Sequence, residues 1–225
     1  MSETRKWNRK AWAAGALLGS CAGLVGLQAS AGAAAPGGSL LPTQTHANLH
    51  AINNSGVTGT STVTVNGRTI TVDVKAHGLV RNMPHAMHLH FDRHSRHTCP
   101  TVRDDRNHDH RLNTTEGQRS YGMIKTSLTK RGDTSPRSGL AVNRFPTAPH
   151  GRIDYHRQIR VSQPLANAIM NGKVAVVIHG IDYNNNHKYD LRAGRSDLDP
   201  KLPTEATDPV ACGILKKQST LPIGG

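Results

Sequence analysis

The clearest structural signal in the sequence is the segment Thr62-Val63-Thr64-Val65-Asn66-Gly67-Arg68-Thr69-Ile70-Thr71-Val72-Asp73-Val74. Polar and apolar side chains alternate on both sides of Asn66-Gly67, and a period of two is typical of β-strands with one buried face. The Asn-Gly pair accepts the positive φ angles of a type I′ turn and therefore predicts a β-hairpin. The domain is expected to begin as antiparallel β structure.

Outward from this hairpin, short alternating or apolar runs predict further strands, separated by long polar loops. Pro164–Asn171 is the one segment that predicts a short helix, because proline stands near its start and Gly172 follows its end. Many short strands and few helices predict an all-β fold, a sandwich or barrel, in one domain. The further strands are expected at 47–51, 84–91, 121–128, 154–161, 173–179 and 210–215.

The N-terminal region has the parts of a secretory signal peptide. Residues 1–31 combine four basic side chains, an apolar run from Ala11 to about Leu27 and small residues at Ala29-Ser30-Ala31. We expect export to the cell envelope or medium, then a flexible leader at 32–42, the β domain at 43–217 and a tail at 218–225. An uncleaved anchor is disfavoured by the glycines in the apolar run, and a lipoprotein attached at Cys21 ranks second to a soluble product.

The composition limits the partners. The chain carries a formal charge of +13, and removal of residues 1–31 leaves about +10. Such a charge favours small anions or anionic cell-envelope polymers. The basic residues are not concentrated, aromatic residues make up 4% of the chain, and no nucleic-acid motif occurs, so a nucleic-acid function is not expected. The oligomeric state is not predicted.

The segment Pro84-His85-Ala86-Met87-His88-Leu89-His90-Phe91 is a candidate metal-binding strand. In a β-strand, His88 and His90 lie on one face, where two imidazoles can hold copper, zinc, iron or nickel. The alternative is a half-buried strand whose polar face happens to be histidine. His179 ends the apolar run 174–178 and is either a third ligand or a structural histidine.

The cysteines predict one disulfide. Cys21 lies in the predicted signal peptide, so Cys99 and Cys212 remain in an exported, oxidising setting. Their bond closes a loop of more than a hundred residues and is expected to contribute roughly 4–5 kcal/mol in the chain-entropy treatment. It also holds the loop that follows His90 against the last strand.

In order and spacing, these motifs resemble the copper/zinc superoxide dismutases. The resemblance rests on His88-x-His90, Cys99, Val176-Val177-Ile178-His179 and Ala211-Cys212-Gly213, and it covers roughly residues 43–215. It implies an eight-stranded Greek-key barrel or sandwich with copper bound by the three histidines and the disulfide Cys99–Cys212. It also implies superoxide as a small anionic substrate, disproportionated to oxygen and hydrogen peroxide.

The chain departs from that family at two places. The loop after Cys99 lacks the family's zinc-ligand spacing, so zinc is not expected, and His108 or His110 is the candidate fourth copper ligand and proton donor. Pro209 stands where the family has an anion-binding arginine. Two hypotheses follow: a copper-dependent dismutase, or a secreted metal-binding module on the same fold without turnover.

A second metal hypothesis concerns residues 105–116. Oxygen-bearing side chains stand at positions 1, 3, 5, 9 and 12 of a calcium loop of the EF-hand type, with His110 at position 6 in place of glycine. The alternatives are solvated turns or transition-metal binding by His108 and His110. Residues 182–190 begin in the same way but lack the final glutamate. The proposed oxygen ligands are Asp105, Asn107, Asp109 and Glu116, with Asn113 at position 9.

Overall fold

The computed structural model describes residues 41–218 as a β structure with three short helices. The predicted signal peptide, most of the predicted leader and most of the predicted tail lie outside these residues. No helix within residues 41–218 has the length and apolar character needed to cross a membrane.

The strands are β1 Thr43–Ala51, β2 Thr58–Asn66, β3 Thr69–His77, β4 Met87–His90, β5 Ile124–Ser127, β6 Arg152–Arg160, β7 Ala175–His179, β8 Pro209–Ile214 and β9 Lys216–Lys217. The helices are α1 Thr114–Tyr121, α2 Gln163–Met170 and α3 Thr204–Thr207.

The strands form one curled antiparallel sheet in the order β5-β4-β7-β8-β1-β2-β3-β6, with β9 paired to β1. The all-β class expected from the sequence is confirmed. The strand β1 pairs with β2, and β2 pairs with β3. The strand β4 pairs with both β5 and β7, and β1 also pairs with β8. The sheet curls into a half-barrel whose inner face carries the main core.

The hairpin that defines the fold class forms between β2 and β3. Val65 pairs with Ile70 and Asn66 with Thr69, so the two turn residues are Gly67 and Arg68. Gly67 has a φ of 58°, and Arg68 does not have a positive φ. Glycine at the first turn position is characteristic of a type II′ turn, so the expected type I′ turn is corrected. Asn66 instead belongs to the strand.

The alternation in this hairpin separates core from solvent. Val63, Val65, Ile70, Val72 and Val74 are buried in the main core cluster, while the threonines between them face outward. Each fully buried aliphatic side chain of this kind contributes about 1.5–3 kcal/mol relative to exposure. The helix α2 packs against the same core through buried apolar side chains near its middle, Leu165 and Ile169.

The segment 121–128 differs from its predicted strand. Tyr121 ends the helix α1, and β5 begins only at Ile124. The helix forms because Asn113 caps its first turn and Glu116 bonds back to the backbone N–H of Asn113, a reciprocal arrangement that satisfies two free amides. The sequence contains this signal, but Gly117 and the polar residues around it hide any helical apolar face.

The disulfide joins a long loop to the sheet. Cys99 in the loop after β4 is bonded to Cys212 in β8, with Cα atoms 5.7 Å apart and a sequence separation of 113. Cys212 is fully buried in a second, smaller core cluster together with Tyr121 of α1 and Val177 of β7. The bond therefore fixes the loop and α1 over one face of β7 and β8.

Replacing both cysteines by alanine is expected to lower the free energy of unfolding by roughly 5 kcal/mol, because the unfolded chain loses a long covalent loop. Urea unfolding of the Cys99→Ala, Cys212→Ala variant beside the oxidised wild type measures the loss. Dithiothreitol should move the wild type toward the variant and leave the variant unchanged. Equal stability of variant and oxidised wild type would contradict the assigned role.

Candidate metal centre

The strand β4 is buried on both faces because it lies between β5 and β7 and beneath later loops. Met87 and Leu89 point into the main core, and His88 and His90 point to the opposite side. All four side chains are at most 2% exposed. The strand is therefore fully buried, whereas the alternative interpretation expected a half-buried strand.

Three histidines meet on this covered face. His179 ends β7, and its backbone N–H donates to the carbonyl of Ala86 just before β4, which places its ring beside His88 and His90. One ring nitrogen from each histidine lies within 4.8 Å of the others. The ring centroids are 5.0 Å apart for His88 and His179, 5.5 Å for His88 and His90, and 5.9 Å for His90 and His179.

The outward nitrogens of the three rings are held by backbone carbonyls. Nε2 of His88 donates to Gly139 at 3.1 Å, Nδ1 of His90 to Gly122 at 2.9 Å, and Nδ1 of His179 to Thr207 at 2.6 Å. A carbonyl only accepts, so each of these nitrogens carries the proton of its neutral ring. The inward nitrogens, Nδ1 of His88 and Nε2 of His90 and His179, are then bare lone pairs.

These inward nitrogens are buried and have no hydrogen-bond partner among the described residues. A buried polar atom without a partner is costly, and three such lone pairs at one place repel each other unless a cation lies between them. The arrangement fits a metal ion, because metal-binding histidines typically donate their other N–H to a carbonyl or carboxylate.

The charge state of the rings suits this role. Burial lowers the pKa of His88 well below its ordinary value, that of His90 to about 3 and that of His179 to about 4. All three rings are neutral at neutral pH, which is the form that binds metal. Protons therefore compete with a metal for these nitrogens only in acid.

The carbonyls that orient the rings come from three separate segments. Gly122 follows α1 with a φ of 90°, and a side chain there would collide with the backbone of Phe91 and Asp92. Gly139 follows a short helical turn after β5, and Thr207 ends α3. These positions could not be identified from the sequence, because a backbone acceptor leaves no residue-type signal.

Aromatic side chains close the sides of the centre. The ring of Tyr121 lies 4.5 Å from that of His90, and the ring of Phe145 lies 5.3 Å from that of His88. Burial raises the pKa of Tyr121, whose hydroxyl donates to the carbonyl of Thr114 at 3.0 Å. These rings exclude water from the sides of the cluster.

His108 and His110 are not part of this centre. Both are exposed and lie outside the histidine cluster, so their assignment as fourth ligand or proton donor has no support in the geometry. Their backbones have φ angles of 59° and 66°. The order of motifs along the chain predicts them near the metal, whereas the two residues lie in a turn at the surface.

In the loop 105–116, side-chain oxygens accept hydrogen bonds from backbone N–H groups of the same loop. The carboxylate of Asp105 accepts from the backbone N–H of His108 at 2.8 Å and of His110 at 2.9 Å. Further along, Asn107 accepts from Asp109 at 3.0 Å. The carboxylate of Glu116 accepts from the amides of Arg106 at 3.0 Å and Asn113 at 3.1 Å, the second and ninth loop positions.

The loop 182–190 repeats this pattern. Its first residue, Asp182, accepts from the amides of Asn186 at 3.1 Å and His187 at 2.7 Å, and His187 again has a positive φ. The final glutamate that the loop lacks is supplied from α3: Glu205 accepts from Tyr183 at 3.0 Å and Asp190 at 2.7 Å, again the second and ninth positions. Glu205 is fully buried, and its sequence distance from the loop concealed this role.

A buried carboxyl group lies between the second loop and the metal centre. Asp208 is 1% exposed and follows Thr207, the acceptor for His179. Its oxygens accept from the hydroxyls of Tyr183 at 2.8 Å and Thr204 at 2.9 Å. Burial outweighs these hydrogen bonds and raises the pKa of Asp208 to about 7.

Comparison with models of known protein families finds no match to this chain, and no curated protein matches its sequence. The protein is therefore classified by its fold and its candidate site. The chain is an all-β protein with a disulfide and a buried cluster of three histidines that can bind a metal ion.

Asp208 is expected to make a contribution to the free energy of unfolding that falls as pH rises from about 4 to 7, and this contribution opposes the rise that the lowered pKa values of His88, His90 and His179 produce in the same range. In this window the folded protein keeps a proton on Asp208 that the unfolded chain has lost, and the difference amounts to at most about 4 kcal/mol. Between pH 5 and pH 8, urea titrations should therefore show a larger gain in the free energy of unfolding for an Asp208→Asn variant than for wild type. The exposed Asp154→Asn is the control, and a wild-type slope in the Asp208 variant would refute the assignment.

Proposed function

We propose that this chain is an exported copper protein of the superoxide dismutase type, which converts superoxide to oxygen and hydrogen peroxide. The observation that carries the proposal is the set of three bare imidazole nitrogens, buried within 4.8 Å of one another with every outward nitrogen satisfied. Those ligands lie on β4 and β7, and the disulfide joins the loop after β4 to β8, in the order that the resemblance implies.

The strand connections support a Greek-key fold. The strand β4 follows β3 in the chain but pairs with β7. The strand β6, later in the chain, pairs with β3. The last long strand, β8, closes against both β7 and β1. Long connections between non-adjacent strands of this kind characterise Greek-key sandwiches and barrels.

Copper is the metal that suits the donor set best. Imidazole nitrogen binds copper, zinc, iron and nickel, and among the divalent ions copper binds such sites most tightly. Three neutral ligands also leave a position open for a small molecule. Zinc in the same site is the alternative that metal analysis distinguishes.

When bound, copper supplies one-electron oxidation and reduction. His88, His90 and His179 would hold it, their hydrogen bonds to backbone carbonyls keep each ring in one tautomer, and Tyr121 and Phe145 exclude water at the sides. Two superoxide ions and two protons give one oxygen and one hydrogen peroxide. The outward ring nitrogens bond only to backbone carbonyls, so the protons are drawn from water.

The attraction of an anionic substrate does not depend on the family's arginine in this proposal. Pro209, which stands at that position, is a buried residue of β8. The formal charge is about +10 without residues 1–31, and a large net positive charge raises the encounter rate of small anions in a way that salt weakens. The activity is therefore expected to fall as ionic strength rises.

His179→Ala is expected to lower copper affinity by at least about 100-fold, because loss of a ligand exceeds the 10- to 100-fold cost of losing an outer partner. The test loads mature protein with copper, removes excess metal, counts bound copper and assays superoxide disproportionation on the same sample. The matched control is His50→Ala, which removes an exposed histidine of β1.

One tightly bound copper with turnover in wild type and control, and neither in the variant, supports the proposal. Copper bound without turnover would instead identify a metal-binding module on the same fold. Failure to bind copper would remove the proposal, and zinc retained in preference to copper would exclude redox chemistry.

A second candidate function is calcium-dependent stabilisation. It is favoured by the recurrence of one backbone pattern in loops 105–116 and 182–190, each closed by a buried glutamate, Glu116 or Glu205. Calcium prefers carboxylate and carbonyl oxygens. Its binding there would fix the surface loops that border the metal centre.

Under this candidate function, calcium at about 100 times its Kd should raise the melting temperature by roughly 5–10 °C over chelated protein. Differential scanning calorimetry with a chelator, then with added calcium, measures the shift. Glu116→Gln should remove much of it, and the exposed Asp154→Asn should keep it. Identical melting curves with chelator and with calcium would exclude the function.

A further inference from the structure

Most of the positive charge of this protein lies in one part of the chain. Residues 117–153 contain seven arginines and lysines and a single acidic residue, Asp133. Their formal charge of +6 is more than half of the charge of about +10 that remains without residues 1–31. This part of the chain includes β5 and the connection from β5 to β6, the strands at the two ends of the sheet.

The side chains of Arg144 and Arg157 fold part of this connection into a compact loop. The guanidinium of Arg144 donates to the carbonyls of Arg131 at 3.1 Å and Asp133 at 2.6 Å. The guanidinium of Arg157, on β6, donates to the carbonyl of Gly132 at 2.7 Å. Backbone carbonyls carry no formal charge, so these hydrogen bonds order both guanidinium groups without neutralising them.

Two further cations belong to the same loop. The backbone N–H of Lys130 donates to the carbonyl of Arg144 at 2.8 Å, and Arg131 follows Lys130 in the chain. The side chains of Lys130 and Arg131 are exposed. The loop therefore gathers four cations, here called the loop cations: Lys130, Arg131, Arg144 and Arg157.

The acidic side chain of this loop does not pair with the loop cations. The carboxylate of Asp133 accepts from the hydroxyls of Ser138 and Ser135, both at 2.7 Å, and these bonds lower the pKa of Asp133 to about 2. It reaches a guanidinium only through Ser138, whose oxygen accepts from Arg144 at 3.0 Å. Within residues 41–218, no ion pair includes a loop cation. Uncompensated like charges oppose folding, and a bound anion would offset this cost.

We infer that the loop cations bind a linear polyanion whose repeating groups are phosphates. Four cations exceed the charge that one small anion can neutralise, whereas such a polymer presents a charge at every repeat. Three of the four are arginines, whose planar fork matches phosphate oxygens in two parallel hydrogen bonds. Residues 128–144 contain no aromatic side chain on which a base could stack, which disfavours a nucleic acid. Binding of the polymer is separate from the copper chemistry and needs no metal.

The test uses metal-free mature protein with its disulfide intact and a long linear polyphosphate as the probe. Isothermal titration calorimetry at several salt concentrations measures the affinity. Lys130→Gln, Arg131→Gln should weaken binding by about 10- to 30-fold, because each cation near an anionic surface contributes about a factor of five. The dependence of log affinity on log salt concentration should become shallower by about 0.7–0.9 for each cation removed.

The matched control is Arg103→Gln, Lys173→Gln, which removes the same charge from exposed side chains outside the loop. It should bind polyphosphate like wild type. An equal loss in both double variants would reduce the effect to net charge and overturn the inference. Orthophosphate or polyglutamate bound by wild type as tightly as polyphosphate would also overturn it, as would absence of polyphosphate binding. Copper binding, measured on the same variants, should be unchanged, so this inference and the copper proposal fail separately.

Discussion

The centre of this protein depends on three hydrogen bonds from imidazole N–H groups to backbone carbonyls. Each bond fixes one tautomer and turns the other nitrogen inward. Without them the rings would be free to turn and satisfy their inner nitrogens elsewhere, since buried polar groups strongly favour a partner. The carbonyls belong to segments around residues 122, 139 and 207, so the loops beyond the sheet determine the orientation of ligands that the sheet carries.

The sheet and the loops contribute different parts of the site. Strands β4 and β7 place the histidines side by side on a rigid base, because both strands are paired on each side. The loops then cover a face that would otherwise be solvated, and the disulfide holds one of them to β8. Burial by this cover lowers the pKa of the three rings, which keeps them neutral for metal binding.

Features with a local signature could be predicted from the sequence. The β2–β3 hairpin follows from alternation, α2 from its proline and glycine, and the pairing of Cys99 with Cys212 from their number in a chain that the sequence predicts to be exported. The proximity of His88 and His90 follows from the strand period. The turn type was predicted wrongly because Asn-Gly was aligned one residue too early relative to the strand register.

Features that depend on distant backbone were not predictable. The oxygens of Gly122, Gly139 and Thr207 could not be identified as ring acceptors, since every residue has a carbonyl. Glu205 was missed because sequence spacing describes only continuous loops, whereas α3 brings it to residues 182–190 from elsewhere. His108 and His110 were placed at the metal by chain order, but positive φ angles hold them in a surface turn.

The positions of the histidines, their ring acceptors and the cysteines along the chain determine when the histidine cluster can form during synthesis. Two ligands appear early, at His88 and His90, but the third stands at 179, its ring acceptor at 207 and the second cysteine at 212. A nascent chain that has emerged only as far as β6 presents two exposed imidazoles and no enclosed site. The three-histidine cluster is therefore complete only once the chain has been synthesised as far as residue 212.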